Sequence, residues 1–364
     1  MKIGTLTFHS TNNYGAMLQA YALPKVVEAL GYQCEVIDYR QSTITSGVEV
    51  MWPRQLIKQY GLLRGGVKAV NRWRLGWFDK NRKDVKFNRF LEKRMPLSEK
   101  TYRSAEELQE ADYDIVLFGS DQIWNDKLTG GFAPEYFGRG IYGRKIAYAA
   151  SSGTDSVMDE ALPLLQDFSA LGIREQGLAQ SLRNKGLNAQ TVLDPVLLLT
   201  AQQWRTIEKP LPKGLEKGKY IFIYTFDEQP VYDLARKISK EENLPMVIVR
   251  WCGQHDRFND MIQMPNCSPE EFVTLLDNAA VVCTSSFHGT AFSVLFGKKF
   301  YCVTPKDFGS RTNSLLSRVG LLACRVESGV PLSETPNYEE AAKKLVALRL
   351  ESMEFLKNAI EAGE

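Results

Sequence analysis

The chain has few histidines, no patterned cysteines and no long apolar runs, and each shortage closes off a class of function. Its 364 residues carry three histidines and six cysteines (Cys34, Cys252, Cys267, Cys283, Cys302 and Cys324), with no C-x-x-C pair among them. A zinc ribbon or disulfide framework is therefore not expected, no metal site is assigned, and a reducing cytoplasm is the expected location. No apolar run approaches the roughly 20 residues that cross a bilayer, and Met1-Lys2-Ile3-Gly4 reads as the start of a strand rather than a signal peptide. Net charge is only +2. The G-x-G-x-x-G turn of dinucleotide-binding folds is missing as well.

What is present is an ordinary globular composition, 44% apolar and 24% charged, with the length of two domains. Strand-like runs at 2–8, 34–39, 113–118, 145–150, 171–173 and 191–193 alternate with helical stretches near 16–30, 159–170 and 176–185. The Pro/Gly/Lys-rich stretch 209–218 then reads as a linker. A second set follows, with strands at 220–226, 246–249, 279–283 and 299–303 and helices near 230–242, 269–278, 289–296 and 312–319. Ser268-Pro-Glu-Glu271 has the residues of a helix start. The alternation predicts an α/β protein of two Rossmann-like domains facing a cleft. Residues 1–205 form the first and 206–339 the second, and a last helix within 340–364 crosses back onto the first. Residues 41–112 interrupt the rhythm and read as a basic helical insert. From Arg54 to Arg103 there are fifteen Lys/Arg against four Asp/Glu, with Trp73, Trp77 and Phe78 interleaved and Trp52 just before.

Four loops, each after a predicted strand, hold the candidate chemistry. The most informative is Thr284-Ser-Ser-Phe-His-Gly-Thr290, which puts His288 on a strand–turn–helix junction, where open α/β sheets bind ligands. A buried capping histidine is the plainer alternative. His9-Ser-Thr-Asn-Asn-Tyr-Gly15 offers a turn through which a substrate could approach the backbone. Gly119-Ser-Asp-Gln-Ile-Trp-Asn125 groups a carboxylate, two amides and an indole, the inventory that binds sugars; a capped turn over a core Trp124 would look the same. Gly172-Ile-Arg-Glu175 places a guanidinium at a strand end, able to clamp an anion or simply to pair with Glu175. Arg311 opens a further helix.

In this order and spacing the loops resemble the polysaccharide pyruvyl transferase family. The resemblance rests on Phe8–Ala22, Gly119–Asn125, Gly172–Glu175, Leu193-Asp-Pro-Val-Leu197 and Thr284–Phe292. It implies a GT-B-like fold, phosphoenolpyruvate as co-substrate with no further cofactor, and a sugar acceptor that becomes a cyclic pyruvate ketal in an exopolysaccharide, capsule or other cell-envelope glycan. By the resemblance, His288 acts as acid or proton shuttle and Arg174 binds the donor. Arg311, Ser285, Ser286, Gly289 and Thr290 are grouped with the donor. Asp121 is the candidate base, and Asn13, Tyr14, Gly15, Gln122, Trp124 and Asn125 are expected around the acceptor, with Trp124 as a stacking wall. Better-known members carry an arginine two residues before this histidine, where this chain has Ser286; Arg311 or Arg250 could supply the charge. A nucleotide-sugar glycosyltransferase and a catalytically silent glycan-assembly partner are the competing readings. The basic stretch 54–103 suggests peripheral contact with an anionic membrane at its inner face, beside a lipid-linked acceptor; a solvated helical face is the equal alternative, and nucleic acid is not expected.

Overall fold

The computed structural model describes residues 1–41, 44, 77–226, 228–250, 256–303, 310–327, 330–331 and 335–362. The first sheet contains β1 (Ile3–Leu6), β2 (Cys34–Tyr39), β3 (Leu97–Tyr102), β4 (Ile115–Phe118), β5 (Arg144–Ala150), β6 (Phe168–Ile173) and β7 (Ala189–Thr191). Its order is β3-β2-β1-β4-β5-β6-β7, and neighbouring strands run parallel. Strands such as Ile-Gly-Thr-Leu and Ile-Val-Leu-Phe are buried at every residue, as they must be when helices cover both faces of a sheet.

The second sheet repeats the plan. It contains β8 (Ile221–Tyr224), β9 (Met246–Val249), β10 (Ile262–Met264), β11 (Val281–Thr284), β12 (Lys299–Val303), β13 (Arg325–Glu327) and β14 (Val330–Pro331), in the order β10-β9-β8-β11-β12-β13-β14. Only the β13–β14 pair is antiparallel. In each sheet the strand order reverses beside the first strand, between β1 and β4 and between β8 and β11. The loops after these strands are where such folds place ligands.

The longer helices are α1 (Tyr14–Ala29), α2 (Trp77–Arg94), α3 (Gln176–Asn184), α4 (Gln229–Glu242), α5 (Pro269–Asp277), α6 (Phe287–Leu295), α7 (Ser310–Val319) and α8 (Tyr338–Glu361). The α1 helix runs unbroken through Pro24, where the sequence suggests a kink or a new turn. As its sequence suggests, α5 opens with Ser268 and Glu271 in a reciprocal capping box, followed by Pro269. The α8 helix packs against β6 and against α6 and α7. Ser352 Oγ accepts from the Leu193 amide at 2.9 Å, and Arg349 Nε donates to the Leu197 carbonyl at 2.7 Å.

Two stretches differ from the sequence reading. The predicted helix 159–170 is a 3-10 turn (Asp159–Ala161) and one helical turn (Leu162–Leu165), because Phe168 already enters β6 between β5 and β7. The insert does not reach residue 112: β3 pairs with β2 and belongs to the sheet. Trp52 and residues 54–76, including Trp73, lie outside the described residues. Part of the basic charge that follows turns inward. Lys86 pairs with Glu271 at 2.7 Å, and Arg94 approaches Glu270 at 4.0 Å, while buried Lys83 sits 4.6 Å from the Tyr14 ring centroid. Lys86 and Arg94 strap α2 onto α5 of the second domain. Arg82, Arg89 and Lys93 remain exposed. Among the described residues no helix is long and apolar enough to cross a membrane.

Candidate functional site

The turn after β11 fixes His288. Thr284 Oγ1 donates to the Tyr224 carbonyl at 2.6 Å and accepts from the Ser286 amide at 3.0 Å. Gly289 lets α6 close on this turn, since a Cβ there would lie 2.3 Å from Thr284 Oγ1. His288 therefore occupies the second position of α6, and its ring, 6% exposed, reaches across to the N-terminus of α1. A Cβ on Gly15 would stand 1.9 Å from His288 Nδ1, so the first domain leaves room for the imidazole only because residue 15 has no side chain.

His288 Nε2 lies 3.7 Å from Asp194 Oδ2, an ion-pair contact too long for a hydrogen bond. Asp194 Oδ2 also accepts from Ser120 Oγ at 2.9 Å and from Arg174 Nη1 at 2.9 Å, while Oδ1 accepts from the Val196 amide at 3.1 Å. Burial alone would raise the Asp194 pKa, but the His288 ring, Arg174 and the Val196 amide hold it well below the usual carboxylate range.

Arg174 projects from the end of β6 into three carboxylates: Asp194, Glu175 (Nε to Oε1, 3.4 Å) and Asp121 (Nη2 to Oδ1, 3.8 Å). Its guanidinium stacks 4.7 Å from the Phe287 ring centroid. Burial opposes its charge, yet Glu175, Asp194 and Asp121 hold its pKa above the ordinary arginine value. Burial pushes Glu175 up, despite Arg174 and the Ser151 hydroxyl that donates to it. Arg311, at the start of α7, is pulled down to about 10 by burial and by the like charge of Arg174. Asp121 holds a left-handed backbone conformation (φ 70°), and its carbonyl accepts from the Ser151 amide at 3.1 Å. Asp is among the residues that tolerate this region.

Four buried polar atoms here have no hydrogen-bond partner: Arg174 Nη2, Glu175 Oε2, His288 Nε2 and Arg311 Nε. Buried polar groups are normally satisfied, so such a concentration makes this cluster the candidate site. The structure thus brings His288, Arg174, Asp121 and Arg311 together. Asp121 lies against Arg174.

Several expected contacts fall elsewhere. Trp124 is 4% exposed, donates to the Tyr136 carbonyl and stacks on Phe137 at 5.3 Å, so it is core rather than a sugar platform. Tyr14 is equally buried: it stacks on Phe272 at 4.7 Å and donates to the Cys267 carbonyl at 2.9 Å, tying the two domains together. Thr290 is removed from the donor set, because its hydroxyl is committed to the Ser286 carbonyl and the Cys302 sulfur. Gly289 and Gly15 act through close packing. Asn13 and Asn125 cap helix starts with their side chains, and Gln122 accepts from Asn125 Nδ2 at 2.9 Å. Ser285 bonds to Thr225 and Glu228. Ser286 sits at the cap of α6 without a side-chain capping bond. His9, the other described histidine, binds Asp38 at 2.8 Å within a buried group that includes Arg40 and Thr101.

The sequence reading assigned no role to Asp194, and it saw Glu175 only as a pairing partner for Arg174. Asp194 had a signal, an Asx-Pro turn directly after a strand. Tyr224 had none, since it ends an ordinary apolar run. Chemically, the cluster offers an imidazole backed by a carboxylate, a buried cation with a free donor and a second carboxylate at Asp121. Among the described residues no group of His, Cys, Asp and Glu is arranged to hold a metal ion.

The UDP-GlcNAc 2-epimerase of Methanocaldococcus jannaschii, in complex with UDP-GlcNAc and UDP, aligns over 96% of this chain and 93% of its own, with a TM-score of 0.50 and 11% identity. The UDP-GlcNAc 2-epimerase of Neisseria meningitidis bound to UDP-GlcNAc aligns over 99% and 97% (TM-score 0.49, 13% identity), and the E. coli heptosyltransferase with ADP over 96% and 100% (0.42, 14%). At these identities the likeness concerns fold alone, and that fold is the two-domain GT-B-like arrangement. No curated protein matches the sequence. The family model for polysaccharide pyruvyl transferase matches residues 13–307, from the Asn13 cap of α1 to beyond β12 and through every loop that supplies the cluster except the start of α7. The chain therefore belongs to the polysaccharide pyruvyl transferase family, a family of transferases.

Proposed function

We propose that the protein transfers the enolpyruvyl unit of phosphoenolpyruvate to two hydroxyls of a sugar, forming a pyruvate ketal on a cell-envelope glycan. The observation that carries this reading is His288, whose buried, unpartnered Nε2 stands beside Asp194 and in the same cluster as Arg311. An imidazole held this way can deliver a proton to the methylene carbon of phosphoenolpyruvate, which makes C2 electrophilic. One sugar hydroxyl adds to C2, the C2–O bond to phosphate breaks, and the second hydroxyl closes the ketal. Each hydroxyl gives up a proton; one restores the imidazole, and the other leaves with phosphate. Asp121 is the carboxylate placed to take a hydroxyl proton.

The three carboxylates around Arg174 already neutralise it, so its role is to orient Asp194 and Asp121. The donor's phosphate falls to Arg311, whose Nε is free and which stands in for the arginine that Ser286 replaces.

Thermal unfolding with phosphoenolpyruvate or UDP-GlcNAc tests this reading, because a ligand of the folded state raises Tm by mass action. Phosphoenolpyruvate should raise Tm in the wild type and in His288→Ala, but not in Arg311→Ala. Ketal formation from carbon-13-labelled phosphoenolpyruvate and simple pyranosides should be lost in His288→Ala. A shift with UDP-GlcNAc and none with phosphoenolpyruvate would favour a glycosyltransferase instead.

A further inference from the structure

Trp124 and Tyr14 are both buried, so neither offers a ring face to a sugar. A pyranose presents an apolar ring face and a rim of hydroxyls, so a protein that binds it combines an exposed ring with polar partners. Among the described residues two aromatic side chains are prominently exposed, Tyr142 at 84% and Phe226 at 48%. Tyr142 precedes β5 and so lies at the edge of its sheet opposite the strand ends that carry Asp121 and Arg174. Phe226 lies two residues beyond β8, at the ligand-binding edge of the second sheet.

Its surroundings are polar and ordered by the His288 turn. The Phe226 amide donates to Ser285 Oγ at 3.4 Å, and Ser285 Oγ donates to Glu228 Oε2 at 2.5 Å. Thr225 also reaches Glu228 Oε2. Both hydroxyls converge on that one oxygen, leaving Oε1 free to accept from a ligand. Between Phe226 and the reactive cluster stands Tyr224, whose ring centroid lies 6.1 Å from that of Phe226. Tyr224 is 2% exposed, and its Oη has no hydrogen-bond partner, although it sits beside Ser286 and within the field of Asp121. A buried, unpartnered hydroxyl between an exposed ring and a candidate base calls for a ligand.

We infer that the acceptor sugar stacks on Phe226, with Glu228 Oε1 and Tyr224 Oη holding its hydroxyls so that the reacting pair points at Asp121. The acceptor role rests on the proposed pyruvyl transfer; the sugar-binding chemistry of the surface does not. Acceptor choice would then lie largely in the second domain, on the same turn that carries His288.

Saturation-transfer NMR with methyl β-D-galactopyranoside and methyl β-D-glucopyranoside tests it, alongside the phosphoenolpyruvate thermal shift. At least one glycoside should bind the wild type with saturation concentrated on one ring face. Phe226→Ala should weaken that binding about tenfold, and Phe226→Leu, which keeps apolar bulk without the π face, by a lesser factor. Both variants should keep the wild-type phosphoenolpyruvate shift. Glu228→Gln should weaken the glycoside with the ring still engaged. Failure of both glycosides to bind, or equal binding by Phe226→Ala and wild type, overturns the subsite. Glycoside binding through Phe226 without any phosphoenolpyruvate shift would leave the subsite standing and remove the pyruvyl reading; the reverse pattern would do the opposite.

Discussion

Replacing Gly15 with alanine puts one methyl group where the His288 ring stands. The added carbon would lie 1.9 Å from Nδ1, 2.4 Å from Cγ and 2.6 Å from Cε1, whereas carbon-sized atoms rest at about 3.5–4 Å. The ring must therefore recede by roughly 2 Å or turn away, and the 3.7 Å approach to Asp194 is lost with it. Overpacking of this kind costs about 1–3 kcal/mol. Replacing glycine in a helix returns roughly 0.5–1 kcal/mol, so the net loss of stability is modest. Activity should suffer far more, because a 1 Å misplacement of a reacting group can cost about a hundredfold. With only three histidines in the chain, isotope-labelled imidazole NMR can follow the ring directly, and urea unfolding gives the stability. The double variant Gly15→Ala/His288→Ala removes the clash and should be more stable than the sum of the single changes predicts. Unchanged His288 resonances in Gly15→Ala would refute the packing argument, and displaced resonances with wild-type turnover would refute the role of the ring.

Arg174→Ala leaves Asp194, Glu175 and Asp121 around an uncompensated space, so urea unfolding should show a loss of about 3–5 kcal/mol; a change under 1 kcal/mol would contradict the hub described here. Glu208, half-buried beside Asp277, is pushed up to about 7 by burial and by that neighbouring carboxylate, against an ordinary value of 4.5. The folded protein thus holds a proton that the unfolded chain releases, and this contribution is complete below pH 4.5 and lost as pH rises through 7. Glu208→Gln should flatten the decline of Tm between pH 5 and 8 and stabilise the protein at pH 8 by on the order of 1 kcal/mol after solvent screening. An identical pH profile for the variant would contradict this.

The alternation of apolar runs and turn formers was enough to predict two parallel-sheet domains, because fully buried strands and capped helices carry their signals locally. Strand β3 was hidden: Leu-Ser-Glu-Lys-Thr-Tyr is polar along much of its length and follows a run of lysines and arginines, so only its pairing with β2 reveals it. Helix 159–170 was overcalled for the converse reason, since Phe168–Ile173 is apolar enough for either structure and the sheet decides. His288, Arg174, Asp121 and Arg311 were legible because each follows a strand or opens a helix. Which face a side chain takes was not legible. Trp124 and Tyr14 carry the same residue types as a sugar platform, and only the presence of Phe137 and Phe272 against their faces shows them to be core. Tyr224 ends an apolar strand and Phe226 lies two residues beyond it, with nothing in the local pattern to set them apart.

The apolar cluster that includes Met17, Trp204, Phe222, Phe272 and Phe292 passes from one lobe to the other without a break. Trp204 meets Phe292 at 5.0 Å, and Tyr14 lies on Phe272. Prising the lobes apart would wet these rings at about 1.5–3 kcal/mol each, so wide hinge opening during turnover is disfavoured. Substrates are then expected to arrive along the loop rims at the strand ends and to leave the same way. The halves should also share one melting transition, and a fragment cut at the 209–218 linker would expose half of a core that neither piece can bury alone.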